Sequence, residues 1–130
     1  MGQQPVTALL LSVFLGGVIP PFALSPRVVA QATPAAEPVN IAELVRARNY
    51  ARQAAERVNG GLTRYRAEQS MHGPVREAPY VRNADGSYTF RILGYRVRNG
   101  VPESMPSIET VATVAPDGRT TIDYNGPIRN

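Results

Sequence analysis

The stretch NADGSYTFRILGYRVRNG, residues 83–100, decides the fold. Its opening, Asn83-Ala84-Asp85-Gly86, has the form of a type I turn followed by glycine in the left-handed region. That is the three-residue hairpin loop with a G1 bulge. Beyond it Tyr88, Phe90 and Ile92 alternate with polar residues at period two, so the chain leaves the turn as a half-buried strand. Leu93, Tyr95 and Val97 then alternate on the opposite parity. A β-bulge within Ile92-Leu93-Gly94 is therefore expected, resetting the face and bending a strand that runs from Ser87 to Arg98.

Toward the C-terminus the same turn form recurs as Ala115-Pro116-Asp117-Gly118. A three-residue loop there sets Val114 opposite Thr120, Ala112 opposite Ile122 and Thr110 opposite Tyr124, with the apolar side chains on one side. A two-residue loop would part Ile122 from Ala112 and Val114, because a one-residue slip moves every side chain to the other face. By the same logic Tyr80 stands opposite Phe90 as an aromatic cross-strand pair. Asn99-Gly100 leads into a Pro-bounded loop from Val101-Pro102 to Met105-Pro106. The tail Asn125-Gly126-Pro127-Ile128-Arg129-Asn130 reads as a terminator.

Toward the N-terminus the period is helical. Asn40 followed by Glu43 is a capping box, and Leu44, Ala47, Ala51, Ala54, Val58 and Gly61 share one face. Four of those six are Ala or Gly, which suits close packing on a flat sheet. Arg46, Arg48, Arg52, Glu56 and Arg57 form a solvated side. Asn59-Gly60-Gly61 should stop or kink the helix, and Leu62 to Gln69 is read as helix resuming as far as about Glu68. The expected fold is α+β: one N-terminal helix packed on a three- to four-stranded antiparallel β-meander.

Before this domain, Val6 to Ile19 is uncharged and almost wholly apolar. Fourteen helical residues cover roughly 21 Å, short of the ~30 Å hydrocarbon core. With the small residues of Ala30-Gln31-Ala32 behind it, residues 1–32 read as a signal peptide cleaved after Ala32. Residues 33–39 follow as a Pro-rich linker and residues 40–130 as the domain. The expectation is export to a periplasmic or extracellular compartment. An uncleaved anchor is the alternative, since no Lys or Arg precedes the apolar run, and membrane contact is expected only through that segment.

Composition narrows the chemistry. The 130 residues carry 14 cations and 10 acids, for a formal charge of +4, and every cation is arginine. Loss of Arg27 with the leader leaves +3. Cys, Lys and Trp are absent and His72 is the single histidine. These absences exclude disulfides, thiolate nucleophiles, Cys-ligated metals, Schiff-base lysines and multi-histidine metal sites. No cofactor is expected. In topology alone the arrangement resembles cystatin-like inhibitors, PepSY-type propeptide modules and pilin-like heads. It lacks the cystatin-style Gln-x-Val-x-Gly loop and the uninterrupted pilin helix, which Pro20-Pro21 would break.

Two sets of residues could carry function. His72, between Glu68 and Glu77 in a Gly/Pro-containing loop, could serve a small hydrolase or metal-dependent enzyme as general base or ligand. The other set interleaves arginine with tyrosine: Arg64 and Arg66 around Tyr65, then Arg91, Tyr95, Arg96 and Arg98 on the long strand. Arginine grips carboxylate, sulfate or phosphate bidentately. Such a stripe would bind a protein partner or an acidic envelope polymer. Pairing of these cations with Glu103, Glu109 and Asp123 is the purely structural alternative. Nucleic acid is not expected for an exported chain of modest charge. The preferred expectation is thus a non-catalytic binding or accessory protein. A structural subunit docking through its Ala-rich helix is a third reading, and the oligomeric state is left open.

Overall fold

A computed structural model of the chain describes residues 37–130. The leader, its cleavage point and most of the linker lie outside the described residues. Helix α1 spans Ile41–Val58, and the Asn40 Oδ1 accepts the N–H groups of Ala42 at 3.0 Å and Glu43 at 3.4 Å. The side chain thereby satisfies donors that a helix start leaves unpaired. At the other end the Gly61 N–H bonds the Glu56 carbonyl at 2.7 Å and the Gly60 N–H bonds that of Arg57 at 3.2 Å. Those two bonds are a Schellman motif, which needs a left-handed residue after the cap. Gly60 supplies it at φ 94°, and Gly61 follows at φ 86°.

The two glycines turn the chain back on itself, so the helix does not resume. Residues Tyr65–Ala67 form strand β1 instead. Strands β2 (Tyr80–Arg82), β3 (Tyr88–Arg98), β4 (Val101–Pro102), β5 (Ile108–Val114) and β6 (Thr120–Pro127) complete the sheet. The order is β1-β3-β5-β6, with β2 and β4 also paired to β3, and every pairing is antiparallel. A single α-helix on an open antiparallel sheet is the expected class, but the sheet has six strands rather than three or four. The two further strands are β1, in the stretch expected to resume the helix, and β4, in the Val101-Pro102 segment expected as loop. The latter closes a tight hairpin on β3, because Asn99 (φ 52°) and Gly100 (φ 78°) both adopt the positive φ of a type I′ turn.

Both three-residue loops form as read. Gly86 (φ 84°) and Gly118 (φ 88°) hold the left-handed positions, and Tyr80 pairs with Phe90, Val114 with Thr120 and Ala112 with Ile122. The bulge, however, lies elsewhere. Strand β3 keeps one register against β5 from Tyr88↔Val114 to Gly94↔Ile108. The shift occurs in β6, where Ala112↔Ile122 is followed by Val111↔Tyr124. Asp123 is the extra residue and accepts the Thr113 hydroxyl. Thr110 consequently faces Asn125 rather than Tyr124.

The apolar parity change in β3 has a different cause. A Cβ on Gly94 would lie 2.1 Å from Cε2 of Tyr65 and 2.4 Å from its hydroxyl oxygen. The Tyr65 ring thus lies across the strand where a side chain would stand. Tyr65 is fully buried in a core built from Leu44, Ala51 and Ala55 of the helix and Phe90, Ile92, Ala112 and Val114 of the sheet. Burial pushes its phenol pKa up to about 12, with the charges of Glu56 and Glu68 adding to the effect. The Thr110 hydroxyl pulls the other way without meeting hydrogen-bond geometry, and the Tyr65 hydroxyl has no partner.

The helix face is shifted from its expected line. Ala55 is fully buried while Val58 is 46% exposed. Glu56, expected on the solvated side, is buried beside Arg52 at 2.7 Å. Arg48 reaches in the other direction and donates to the Gly73 carbonyl, tying the 3-10 turns Gln69–Met71 and Val75–Glu77 to the helix.

Gly94→Ala forces a methyl into the Tyr65 ring. Overpacking of a buried site costs about 1–3 kcal/mol, and urea unfolding should show a loss near the upper end. A cost within noise of zero would mean that the ring does not occupy this space.

Candidate functional site

The turn that ends α1 also sets up a cluster of three arginines at one depression. After Gly61 the chain rises into Arg64, whose Cδ would stand 2.9 Å from a Cβ on Gly60. The Arg64 side chain therefore lies over the glycine and needs that position bare. Pairing of Tyr65 with Arg96, and the Val97 N–H bond to the Arg64 carbonyl at 2.9 Å, lay the first residues of β1 beside the end of β3. Because β3 has no bulge, Arg96 and Arg98 keep the parity of Tyr88, Phe90 and Ile92 and emerge on the helix side, beyond the end of the core. Arg64, Arg96 and Arg98 line one open depression with Val58, Asn59 and Ile108.

None of these three arginines forms an ion pair among the described residues. Glu103 is an acid that Arg96 and Arg98 influence. Its carboxyl accepts the Ser107 hydroxyl at 2.6 Å and the Arg96 backbone N–H at 3.4 Å. The Ser107 bond first, then the Arg96 backbone and the charges of Arg96 and Arg98, hold it below the ordinary carboxylate range. Part of the arrangement is structural, since cations near a helix C-terminus complement its dipole.

The other arginine and tyrosine residues go elsewhere. Arg91 has the opposite parity and lies on the sheet face away from the helix. There its Nη2 donates to Glu109 Oε2 at 3.2 Å and to the Arg129 carbonyl at 3.1 Å. Arg66 and Tyr95 are cross-strand partners, and Arg66 borders a separate shallow depression with Leu62, Gln69 and His72. A stripe of Arg91, Arg96 and Arg98 required the bulge; without it the strand carries these cations on two faces.

His72 is exposed, and its side chain bonds neither Glu68 nor Glu77. Glu68 Oε1 accepts the Leu93 backbone N–H at 3.1 Å, so that carboxylate serves the gap between β1 and β2 along the edge of β3. Among the described residues no group of three or more His, Asp or Glu side chains could hold a metal ion. No described helix is long and apolar enough to cross a membrane.

Two polar clusters go beyond the expected cross-strand pairs: Glu109 does pair with Arg91, as the structural alternative has it, but Arg129 joins it, and a second cluster forms at the helix end. Glu109 is 2% exposed on the outer sheet face, yet charged. It accepts the Arg129 backbone N–H at 2.9 Å, Arg129 Nη2 at 2.8 Å and Nε at 3.3 Å, while that guanidinium sits 3.5 Å above the Tyr124 ring. The tail is thus a strap across β5 and β6. Glu109 shares the outward parity of Val111 and Thr113, so strand alternation gives no signal of its burial. At the helix end, Asn59 Nδ2 donates to the Ala55 carbonyl at 2.8 Å and to Thr110 Oγ1 at 3.2 Å. Thr110 donates to Asn125 Oδ1 at 2.7 Å, and Asn125 Nδ2 donates to Asn59 Oδ1 at 3.0 Å. This ring of bonds joins α1 to β5 and β6, and it exists because the bulge brings Asn125 opposite Thr110.

No protein-family model, curated protein or solved structure matches the chain.

The Arg129 backbone and side-chain bonds lead the causes that lower the Glu109 pKa from 4.5 to about 2. A depressed folded-state pKa contributes stability above the unfolded value and loses it as pH falls through the folded one. Glu109→Gln should therefore cost about 2 kcal/mol at neutral pH, as loss of charge-assisted bonds does. The gap from the parent should close as pH falls from about 4.5 toward about 2. Unfolding curves whose separation is independent of pH would refute the clamp.

Proposed function

We propose that this chain is a non-catalytic binding domain that recognises an acidic partner, on a protein surface or an acidic polymer, through Arg64, Arg96 and Arg98. The observation that carries the reading is the convergence of three arginines, free of ion pairs, around one depression. Structural arginines elsewhere in the domain are engaged: Arg52 with Glu56, and Arg91 and Arg129 with Glu109. Planar guanidinium groups that converge with unused donors suit bidentate capture of carboxylate or sulfate groups. Desolvation is slight in an open depression, so the affinity would be modest and salt-sensitive. We place this activity outside the cytoplasm, on the strength of the apolar run Val6 to Ile19 and the Ala30-Gln31-Ala32 site.

The two other readings gain no geometry. A hydrolase centred on His72 lacks a hydrogen-bonded acid–base pair there. A subunit docking through its alanine stripe lacks the surface, because Ala47, Ala51 and Ala55 are buried against the domain's own sheet.

Arg96→Glu combined with Arg98→Glu turns the cluster from three positive charges to a net negative one. On sulfated-polysaccharide and polyglutamate columns the double variant should elute at clearly lower salt. Binding should weaken about ten-fold or more, given the worth of charge-assisted contacts. Arg46→Glu with Arg66→Glu makes the same change in net charge at sites outside the cluster and should elute later than that variant. Equal elution of the two would show that only overall charge matters and would defeat the assignment.

A further inference from the structure

The chain contains five places where an Asn or Asp precedes Gly: Asn59, Asp85, Asn99, Asp117 and Asn125. Four mark turns, while Asn125 lies within β6, and four of the five have their side chains tied down. Asn59 and Asn125 are locked to each other and to Thr110 by the ring of bonds described above. The Gly60 N–H also donates to the Arg57 carbonyl, and Gly126 sits within β6 opposite Glu109. Asp85 accepts the Ser87 N–H at 2.9 Å and its hydroxyl at 2.6 Å. Asp117 accepts the Arg119 N–H at 2.9 Å. Asn99 alone makes no side-chain hydrogen bond among the described residues. It is exposed at the tip of the β3–β4 hairpin with a positive φ of 52°.

We infer that Asn99 is the site at which this protein spontaneously deamidates. The Gly100 backbone nitrogen gives up its proton and attacks Asn99 Cγ. A C–N bond forms, the Cγ–Nδ2 bond breaks, and the side-chain nitrogen leaves as ammonia with that proton. Water then opens the cyclic imide at either carbonyl, giving aspartate or isoaspartate, so that the net change consumes one water and releases one ammonia. Glycine at position 100 offers no Cβ to obstruct the approach. At Asn59 and Asn125 the same attack must first break two or more hydrogen bonds, and each such loss raises the barrier. At Asp85 and Asp117 the departing group would have to come from a carboxylate, a far poorer electrophile than an amide. A carboxylate at position 99 would stand next to Arg98 and remove one unit of charge from that end of β3. Its effect on binding rests on the arginine reading proposed above.

The test ages the folded protein at mildly alkaline pH and follows deamidation by mass spectrometry after tryptic digestion. Cleavage at arginine separates the three Asn-Gly pairs into the peptides Val58–Arg64, Asn99–Arg119 and Thr120–Arg129. Asn99 should convert about ten-fold or more faster than Asn59 or Asn125. In concentrated urea the three rates should become similar. Equal rates in the folded protein, or a lead for Asn99 that persists in urea, would overturn the inference. The electrostatic consequence is read separately with Asn99→Asp, which should elute earlier than the parent from the sulfated-polysaccharide column. If the Arg96/Arg98 reversal shifts elution and Asn99→Asp does not, that consequence is wrong. If neither shifts it, the arginine reading falls, and the mass ratios still decide the modification.

Discussion

The contact between Tyr65 and the bare backbone of Gly94 governs the architecture. Strand β3 pairs with four other strands, and a side chain at position 94 would keep β1 from lying flat against it. With glycine there, the Tyr65 ring fills the space between helix and sheet at no cost to the register of β3. A strand that runs straight past this point carries Arg96 and Arg98 on the helix side and sends Arg91 to the other face. The grouping of charges at the surface thus follows from a packing event in the core.

The two faces of the sheet are managed differently. On the inner face a helix rich in small residues lies close and buries Phe90, Ile92, Ala112 and Val114. The outer face has no second layer among the described residues; it is crossed instead by a short strap held on a buried carboxylate. A lone buried charge would be strongly destabilising, and two guanidinium groups and a backbone N–H make it tolerable. That clamp uses Arg91 and Arg129 structurally, whereas Arg64, Arg96 and Arg98 gather around one depression without an ion pair. Every cation of the protein is arginine, and what sets Arg64, Arg96 and Arg98 apart is that they converge on one depression.

The same sorting applies to its turns. Glycine after Asn or Asp is repeatedly used to reach positive φ, and in four of five cases neighbouring groups immobilise the acidic or amide side chain. Hairpin β3–β4 is the exception: Asn99 at its tip is exposed and makes no side-chain hydrogen bond among the described residues.

Local chemistry was legible in the sequence. The Asn40 cap, the Gly60-Gly61 stop and the two Asp-Gly loops act within a few residues of themselves, so their residue types determine their conformation. The registers Tyr80↔Phe90 and Ala112↔Ile122 follow from loop length and alternation alone. Beyond that reach the outcome depends on non-local contacts. The short segment Tyr65–Ala67 has no strand pattern of its own and becomes β1 only because the edge of β3 offers hydrogen bonds. Alternation in β3 changes parity both for a bulge and for a glycine that admits a distant ring, and only the fold tells these apart. The bulge at Asp123, the Thr110–Asn125 link and the Glu109 strap depend on residues many positions apart. So does the division of the arginines between clamp and cluster. Sequence determined where the chain turns and which segments alternate, since those are local energies; tertiary structure decided which side chains meet, since that depends on how whole elements pack.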